Sequence, residues 1–422
     1  MCLTIPSQVK EVSGRSAVIE NARGKNTIDI SMLPNIKKDD WILHVNKFAI
    51  RKISKKDAKE IMYLLESAKQ IDLAGLSDKF KKIIEAARKR ALTKDEIIYL
   101  LKTEGREKEA LFSEANTIRK EYIKDFICIH GIIEFSNYCK NDCTYCGLRA
   151  GNKKIKRYRM SVEEIVKAAD AAVNNKGYKL LVLQSGEDPY YTDEMLVEII
   201  TRIKEKCRVF IFVSIGERGQ ECYRKLKDAG AAGVLFRYET SSPKLFKATH
   251  PKGKNLENRF QHLKFMKELG YYIATGSLVG LPGQTVEDLA DDILTTKEWA
   301  NMVSMGPFIP MKDTPLGKSE EGGVEMNLKM IAVLRLLVKN SRIPVVTAFE
   351  TVTGEEGRKR AFLAGANSLM FNLTPEKYRV QYKIYDNKFY QNEKMWEKYG
   401  LFKYEESYKM IEDRMGEEMV KN

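Results

Sequence analysis

The sequence has few cysteines, few histidines and no long apolar run. Only 7 cysteines and 4 histidines occur in 422 residues. The absence of any run of about 18 apolar residues argues against a membrane-spanning helix. The first residues also lack the charged and apolar regions of a secretory signal. Three cysteines crowd between Cys139 and Cys146, and the odd, uneven set does not suit a secreted disulfide scaffold. We therefore expect a cytoplasmic protein that neither leaves the cell nor contacts the membrane.

Positive charge exceeds negative charge, since 72 Lys and Arg face 58 Asp and Glu and give a net charge of +14. Such a balance suits an anionic partner. The lysines are scattered, however, and no arginine–aromatic stripe is evident, so a solvated surface is favoured and a nucleic-acid partner is not expected. The densest basic run is Arg149 to Arg159, which contains six Lys or Arg and no acid and directly follows the cysteine group.

The first part of the chain predicts a small β-barrel of the OB-like kind over residues 1–66. Short β-rich segments alternate there with turn residues, and a helix begins near Ser54. A linker or helical connector follows over 67–91, and two helices are predicted at Thr93–Thr103 and Arg106–Ile123. The predicted strands are Gln8–Val12, Ser16–Glu20, Thr27–Ile30, Trp41–Val45 and Phe48–Ile53.

Residues 92–385 show strands alternating with amphipathic helices, the pattern of βα units in a parallel sheet. Eight repeats predict an α/β fold with a complete (β/α)8 TIM-type barrel, whose chemistry lies in the loops after the strands. An open doubly wound sheet is the alternative, but the first strand is not followed by Gly-x-Gly-x-x-Gly. The predicted strands are Gly131–Ser136, Leu180–Ser185, Val209–Ser214, Gly233–Arg237, Ile273–Leu278, Met302–Pro307, Pro344–Ala348 and Ser368–Phe371. The predicted helices are Val162–Asn174, Asp193–Lys206, Glu221–Asp228, Leu256–Leu269, Val286–Ala300, Met326–Val338 and Glu355–Ala364. Residues 386–422 are predicted to form a terminal extension with a helix near Glu406–Glu418.

The first barrel strand leads into a Cys-x-x-x-Cys-x-x-Cys run formed by Cys139, Cys143 and Cys146. Three thiolates this close can hold three corners of a cubane iron–sulfur cluster and leave the fourth iron open to a substrate. A structural zinc site would need a fourth ligand. The nearest histidine, His130, falls at the wrong end of the strand. Cys128, Cys207 and Cys222 stand alone and are expected to be packed thiols.

This spacing, with Tyr145 before the last cysteine, resembles the radical S-adenosylmethionine (SAM) superfamily. The resemblance implies a 4Fe-4S cluster that binds SAM through its methionine end and splits it by one-electron reduction. Further SAM contacts are implied by residues that follow the later strands. These are Ser185, Gly186 and Glu187 as the ammonium-binding turn, Glu217, Arg237 for a carboxylate, Glu239 for a ribose or ammonium group, and Gly280 beside the adenine. For Arg237 and Glu239 the alternative is a salt bridge at the barrel rim.

Within that superfamily, the stretch from about Leu92 to Tyr385 resembles the HydE family of [FeFe]-hydrogenase maturases. Phrases such as Ile133–Asn137, Lys156–Met160 and Leu183–Tyr191 carry the resemblance. It implies radical attack on a cysteine-bound iron complex with CO and CN, with Arg237, Thr347 and Tyr378 as contacts. For Thr347 the alternative is an ordinary strand residue. No cysteine follows Thr374, so the accessory cluster of many family members is expected to be absent.

The N-terminal residues resemble HypC, a small chaperone of [NiFe]-hydrogenase assembly. The resemblance rests on Met1–Pro6 and His44–Ile50 and implies an iron site at Cys2 and His44. A thiolate and an imidazole suit low-spin iron. A structural role for His44 on its strand is the alternative.

Together these features predict a radical SAM enzyme of hydrogenase assembly with a fused iron-carrier domain. Its expected partners are a small anionic iron complex or an amino-acid-derived substrate, other maturation proteins and an external electron donor. Two alternatives remain open. One is radical chemistry on an organic substrate, as in methylornithine synthase or biotin synthase, and the other is a scaffold without enzymatic activity.

Overall fold

A computed structural model describes residues 5–21, 24–31, 33, 35–45, 48–65, 75–123 and 128–388. The first 53 residues contain five strands, close to the five predicted ones: β1 (Ile5–Ser13), β2 (Ser16–Asn21), β3 (Gly24–Asp29), β4 (Trp41–Val45) and β5 (Phe48–Ile53). They close into a barrel in the order β1-β2-β3-β5-β4, in which only β3 and β5 run parallel. Alternate residues of these strands, among them Val9, Ile19 and Ile42, face inward and form a separate apolar core. This confirms the predicted small β-barrel.

Four helices connect the two barrels: α1 (Lys55–Leu65), α2 (Asp78–Lys89), α3 (Lys94–Leu101) and α4 (Gly105–Ile123). Ser54 begins α1 as expected, since its Oγ accepts a hydrogen bond from Asp57 N at 3.0 Å. Thr93 and Glu96 cap α3 reciprocally, as a capping box does. Helix α2 lies within the predicted connector, and its apolar residues join the core of the second barrel.

The second unit is a barrel of eight parallel strands. The sheet order follows the chain, and the ring closes where Met302 and Arg342 form a single parallel bridge. Its strands are β6 (Cys128–Ser136), β7 (Leu180–Ser185), β8 (Phe210–Ser214), β9 (Gly233–Leu235), β10 (Tyr272–Thr275), β12 (Met302–Val303), β14 (Pro344–Val345) and β15 (Ser368–Asn372). The predicted (β/α)8 barrel is therefore confirmed over the open doubly wound sheet.

Two predicted barrel strands are shorter than expected because each divides in two. After β10 and β12 the chain leaves the ring, and the short strands β11 (Leu278–Val279) and β13 (Gly306–Pro307) pair with each other. At the division, a Cβ on Gly276 would lie 2.5 Å from the carbonyl oxygen of Ser304, so only glycine allows the close approach. The seventh strand ends at Val345, and Thr347, predicted to lie in it, instead begins a helix.

Helices cover the outside of the barrel. They are α5 (Val162–Asp170) with a π-helical turn at Ala171–Asn175, α6 (Asp193–Lys206), α7 (Gln220–Asp228), α8 (Pro243–Thr249), α9 (Leu256–Glu268), α10 (Val286–Trp299), α11 (Val324–Leu337), α12 (Thr347–Leu363) and α13 (Glu376–Arg379). All seven predicted helices are present, and α8 and α13 are additional. Helix α12 begins eight residues before the predicted Glu355 and is kinked at Gly354, where φ is +64°.

Among the described residues no helix has the length and apolar character needed to cross a membrane. The predicted helix at Glu406–Glu418 and nearly all of the extension over 386–422 lie outside the residues that the structure describes.

Candidate active site

A cavity of about 270 Å³ opens at the carboxyl ends of the barrel strands. Such loops are where barrels of this kind place their chemistry. Ten of the residues singled out from the sequence line it: Cys139, Cys143, Tyr145, Cys146, Ser185, Gly186, Glu187, Arg237, Glu239 and Thr347. Segments far apart in the chain are thus brought to one place by barrel closure.

The cysteine loop after β6 is held by backbone hydrogen bonds and by one arginine. Arg149 N donates to Cys146 O at 3.1 Å, and Ala150 N donates to Asn141 O at 2.8 Å. The guanidinium of Arg157 donates to four carbonyl oxygens, those of Asn137, Leu148, Arg149 and Asn152. This arginine of the basic run therefore organises the loop, a role that the sequence analysis did not assign.

All three cysteines of the loop are free and partly buried. Burial raises the pKa of Cys139 and raises that of Cys143 to about 12, and the neighbouring Cys139 adds to the effect on Cys143. Burial also raises the pKa of Cys146 well above its usual value. Thiols in this environment hold their protons until a metal displaces them, because a bound metal stabilises the thiolate.

Among the described residues, no three His, Cys, Asp or Glu side chains converge closely enough to hold a single metal ion. His130 is buried in the first half of β6 and contacts Ser368 at 3.3 Å, which agrees with its expected position away from the loop.

The turn after β7 packs directly against the start of the cysteine loop. A Cβ on Gly186 would lie 2.2 Å from Tyr138 O and 2.7 Å from Cys139 Cβ, so only glycine fits. Beside it, the buried carboxylate of Glu187 accepts a hydrogen bond from Glu217 N at 2.9 Å. The Oγ of Ser185 donates to Gly186 O at 2.7 Å. The three residues form a tight polar turn against the cysteine loop.

Two cations that the sequence analysis missed hold the carboxylates of this region. Lys254 Nζ lies 3.2 Å from Glu187 Oε2 and 2.5 Å from Glu217 Oε2, and Arg259 donates to Glu217 Oε1 at 2.9 Å. Burial acts to raise the pKa of Glu217, but Arg259 and Lys254 outweigh it and leave that pKa lowered. Glu217 itself does not line the described cavity, but it contacts Arg259, which does.

Arg237 and Glu239 follow β9 and face the cavity. Arg237 Nη2 lies 3.1 Å from Glu239 Oε2, and it donates to Ser277 O at 2.7 Å. Within the described part of the chain, Arg237 Nε is buried without a hydrogen-bond partner, and the contact of Glu239 Oε2 with Arg237 is an ion pair without hydrogen-bond geometry. Glu239 also has a φ of +70°, which costs backbone energy in a residue other than glycine. A buried guanidinium N–H without a partner beside a cavity suits a polar ligand.

Tyr145 and Thr347 also line the cavity. The Tyr145 hydroxyl lies 3.3 Å from His250 Nε2, and Phe246 stacks on this histidine with ring centroids 3.9 Å apart. Burial, with the charge of Arg259, lowers the pKa of His250 to about 3, so the imidazole is neutral near pH 7.

Gly280 and Tyr378 do not line the described cavity. Gly280 turns the chain at φ +88°, where a Cβ would lie 2.3 Å from Gly322 Cα. Tyr378 lies on α13, where it stacks on Tyr158 and its hydroxyl donates to Glu164 Oε1 at 2.7 Å. The turn after α13 presents Tyr382 to the cavity, and the predicted contact of Tyr378 with a substrate stays a prediction.

A buried ion pair inside the cavity was also missed. Glu134 on β6 pairs with Lys388, whose ammonium lies 4.7 Å from the centroid of the Tyr382 ring. Asn372 Nδ2 donates to the second Glu134 oxygen at 2.8 Å. The sequence pattern of a strand does not identify the partner of Glu134. That partner, Lys388, lies 254 residues later in the chain and is brought to Glu134 by the tertiary structure.

In the N-terminal barrel, His44 lies on β4 with its Nε2 3.0 Å from Ser7 Oγ. Ile5 pairs with His44 in the register of β1 and β4. Cys2 lies outside the described residues, three positions before Ile5. Cys128, Cys207 and Cys222 are buried, in agreement with the expected packed thiols.

Comparison with known families finds three matching regions. Residues 1–65 match the HupF/HypC family, residues 133–295 match the radical SAM superfamily, and residues 304–402 match the biotin and thiamin synthesis associated domain.

Among curated proteins, the [FeFe] hydrogenase maturase subunit HydE of Thermotoga maritima is 45% identical over 310 residues, which cover 73% of this chain and 88% of that protein. A 3-methylornithine synthase of Methanosarcina acetivorans is 32% identical over 309 residues, covering 72% and 85%. The crystal structure of a methylornithine synthase superposes with a TM-score of 0.63 at 28% identity, covering 69% of this chain and 85% of that one.

Proposed function

The chain belongs to the HydE family of radical SAM hydrogenase maturases, with a HypC-like domain ahead of the barrel, and we propose that it processes a cysteine-bound iron complex carrying CO and CN. One observation carries the proposal: the three loop cysteines, the Ser185–Glu187 turn and the Arg237–Glu239 pair line a single cavity. A scaffold without activity has no need for this convergence.

The residues present fit the cofactors that the family implies. Cys139, Cys143 and Cys146 offer three thiolates, the number that a cluster with one open iron requires. When bound, the cluster and SAM supply a 5′-deoxyadenosyl radical through one-electron cleavage of SAM. The protein's part is to bind, orient and shield these groups.

Each polar group around the cavity has a proposed role toward SAM. The Ser185–Gly186 backbone and the Glu187 carboxylate receive its ammonium group, and the Arg237 guanidinium receives its carboxylate. Glu239 accepts hydrogen bonds from a ribose hydroxyl or from the ammonium group. Tyr145 borders the bound cofactor.

Two further residues, Glu217 and Gly280, do not line the described cavity and have supporting roles. Glu217 holds Lys254 and Arg259 in place, since it contacts both cations. Gly280 allows the chain beside the adenine to approach the Gly322 backbone closely.

Cations that line the cavity can contact an anionic substrate. Arg237, Arg259 and Lys388 line it, and each already pairs with a carboxylate, that of Glu239, Glu217 or Glu134, so a bound anion takes the place of one of these partners. A buried cation holds an anion strongly because little water screens the pair. Thr347 lies at the first turn of α12 and can offer its hydroxyl to the same substrate.

For the N-terminal domain, the proposed role is to carry iron at Cys2 and His44 and to pass the iron fragment to the barrel or receive it. The register that sets Ile5, the first described residue, opposite His44 supports this. Other maturation proteins and an external electron donor are the proposed partners.

Anaerobic reconstitution with iron and sulfide, followed by assay of 5′-deoxyadenosine from SAM and dithionite, tests the enzymatic proposal. Cys143→Ser should abolish product, whereas Cys207→Ser at a buried cysteine of the same barrel should leave it unchanged. Equal product from both variants, or none from the wild type, contradicts the proposal. Infrared bands of CO and CN in protein isolated from its anaerobic host test the substrate.

A second candidate is radical chemistry on an amino acid, which the likeness to 3-methylornithine synthase favours. The buried Glu134 carboxylate, paired here with an ammonium group, suits an amino-acid substrate. Faster SAM cleavage on addition of amino acids, with no CO or CN bands, would decide for this candidate.

A further inference from the structure

Exposed lysines surround the outer side of the cysteine loop. Lys153, Lys156 and Lys383 are exposed, and we call these three residues the rim lysines. Lys140, which follows Cys139 in the chain, is also exposed, but its charge pairs with Glu187 at 3.6 Å.

The fold brings the rim lysines together from separate segments. The Asn137 side-chain amide donates to Lys156 O at 2.8 Å and to Gln381 O at 2.9 Å. Gly147 N donates to Ile384 O at 2.8 Å. The segment that carries Lys383 and the basic run are therefore both fastened to the cysteine loop.

An aromatic stack lies on the same rim. Arg159 packs between Tyr138 and Tyr190, with its guanidinium carbon 3.7 Å and 4.6 Å from the two ring centroids. Asp188 fixes the guanidinium through two hydrogen bonds of 2.7 and 2.9 Å. Tyr190 is 53% exposed, one of the largest exposures of an apolar side chain in the described part of the chain. Exposed tyrosine and arginine are typical anchors of protein interfaces.

Other charged residues of the basic run form ion pairs with acidic residues. Arg149 pairs with Asp142 at 2.7 Å, and Lys154 pairs with Asp313 at 2.6 Å. Lys153 donates to Ala150 O, which carries no net charge. The net positive charge of this rim therefore comes mainly from the rim lysines, and it faces solvent rather than the cavity.

We infer that the rim lysines and the Tyr138–Arg159–Tyr190 stack form the docking surface for a small acidic iron–sulfur electron carrier. The inference rests on the proposed function, since only reductive SAM cleavage requires an external electron. The carrier gives one electron to the cluster held by the three cysteines and is oxidised by one electron, and no proton moves. SAM cleavage then consumes that electron.

Position and charge both favour this occupant. Tyr138 is bonded directly to Cys139, so a carrier on the stack lies next to a cluster ligand. Complementary charge steers such a partner and raises its association rate by about 10 to 1,000 fold. An iron–sulfur carrier delivers single electrons at low potential, which matches a one-electron requirement.

The test measures carrier binding directly. Reconstituted holoenzyme is titrated calorimetrically with an acidic ferredoxin at low and high salt. The rim variant is Lys153→Glu/Lys156→Glu/Lys383→Glu. The matched control, Lys206→Glu/Lys264→Glu/Lys297→Glu, makes the same charge change on exposed lysines near the C-terminal ends of α6, α9 and α10. If the rim variant does not fold, Tyr190→Ala replaces it.

We expect the rim variant to raise the ferredoxin Kd at least about tenfold at low salt, with a smaller effect at high salt. The control should change it by less than about twofold. Both variants should cleave SAM normally with dithionite. Equal losses in the two variants, or an unchanged Kd in the rim variant, overturn the inference. Charge-dependent binding of a flavodoxin without binding of ferredoxin overturns the assigned occupant. Loss of dithionite-driven cleavage in the wild type refutes the proposed function, while the Kd still decides the docking surface.

Discussion

Because Glu134 and Lys388 form a buried ion pair, we expect Lys388→Met to lower the Tm of the barrel. The Lys388 and Glu134 side chains are only 5% and 3% exposed. Methionine keeps an unbranched chain of similar length beside the Tyr382 ring but removes the charge. The substitution therefore leaves the Glu134 carboxylate buried with Asn372 as its remaining described donor.

The expected cost follows from that burial. Removing one partner of a buried ion pair costs about 3–5 kcal/mol, because the remaining charge stays desolvated and unpaired. For a folding unit of roughly 250 residues, the entropy of unfolding is about 0.5 kcal/mol per degree. The Tm of the barrel should therefore fall by about 6–10 °C.

Differential scanning fluorimetry of the cluster-free protein measures this change, and a double-mutant cycle isolates the pair. Glu134→Gln/Lys388→Met should recover much of the lost Tm, because a neutral pair avoids the unpaired charge. Lys102→Met is the matched control. Its ion pair with Glu287 has side chains 57% and 53% exposed, so the loss should stay below about 1 kcal/mol.

Two results would refute the reasoning. One is a Tm of Lys388→Met that equals the wild-type value. The other is a double variant that is no more stable than Lys388→Met, which would show that packing, and not the unpaired carboxylate, causes the loss.

Three further predictions concern other parts of the molecule. Gly186→Ala should lower both the iron content and the SAM affinity measured by calorimetry, whereas Gly219→Ala, which has open space for its Cβ, should change neither. Burial lowers the pKa of His130 to about 3, below the unfolded value of about 6.5. Unfolding therefore takes up a proton, and stability is lost as pH falls from about 6.5 toward 3, by up to about 1.4 kcal/mol per pH unit. His130→Gln should make Tm less dependent on pH between about 5 and 7, and an unchanged slope contradicts the assignment. His44→Ala should reduce iron bound by the isolated full chain without changing SAM cleavage, and parallel loss of both would argue against separate sites.

The sequence by itself determined the architecture and the cofactor chemistry. Strand and helix periodicity identified eight βα repeats, because the alternation of buried and exposed residues is a local property of the chain. The spacing of Cys139, Cys143 and Cys146 predicted a cluster-binding loop for the same reason, since all three lie within eight consecutive residues. Phrases around Ser185–Glu187 and the N-terminal segment identified the families.

Only the tertiary structure decided which side chains share the cavity and in what pairs. Tyr382 rather than Tyr378 faces the cavity because the turn after α13 sets the direction of each side chain. Lys254 and Arg259 reach Glu217 across about 40 residues of chain, and Lys388 reaches Glu134 from beyond the last strand. Such contacts depend on barrel closure, which local periodicity does not encode. The tertiary structure likewise decides which lysines of the basic run, Lys153 and Lys156, are exposed without an ion-pair partner among the described residues.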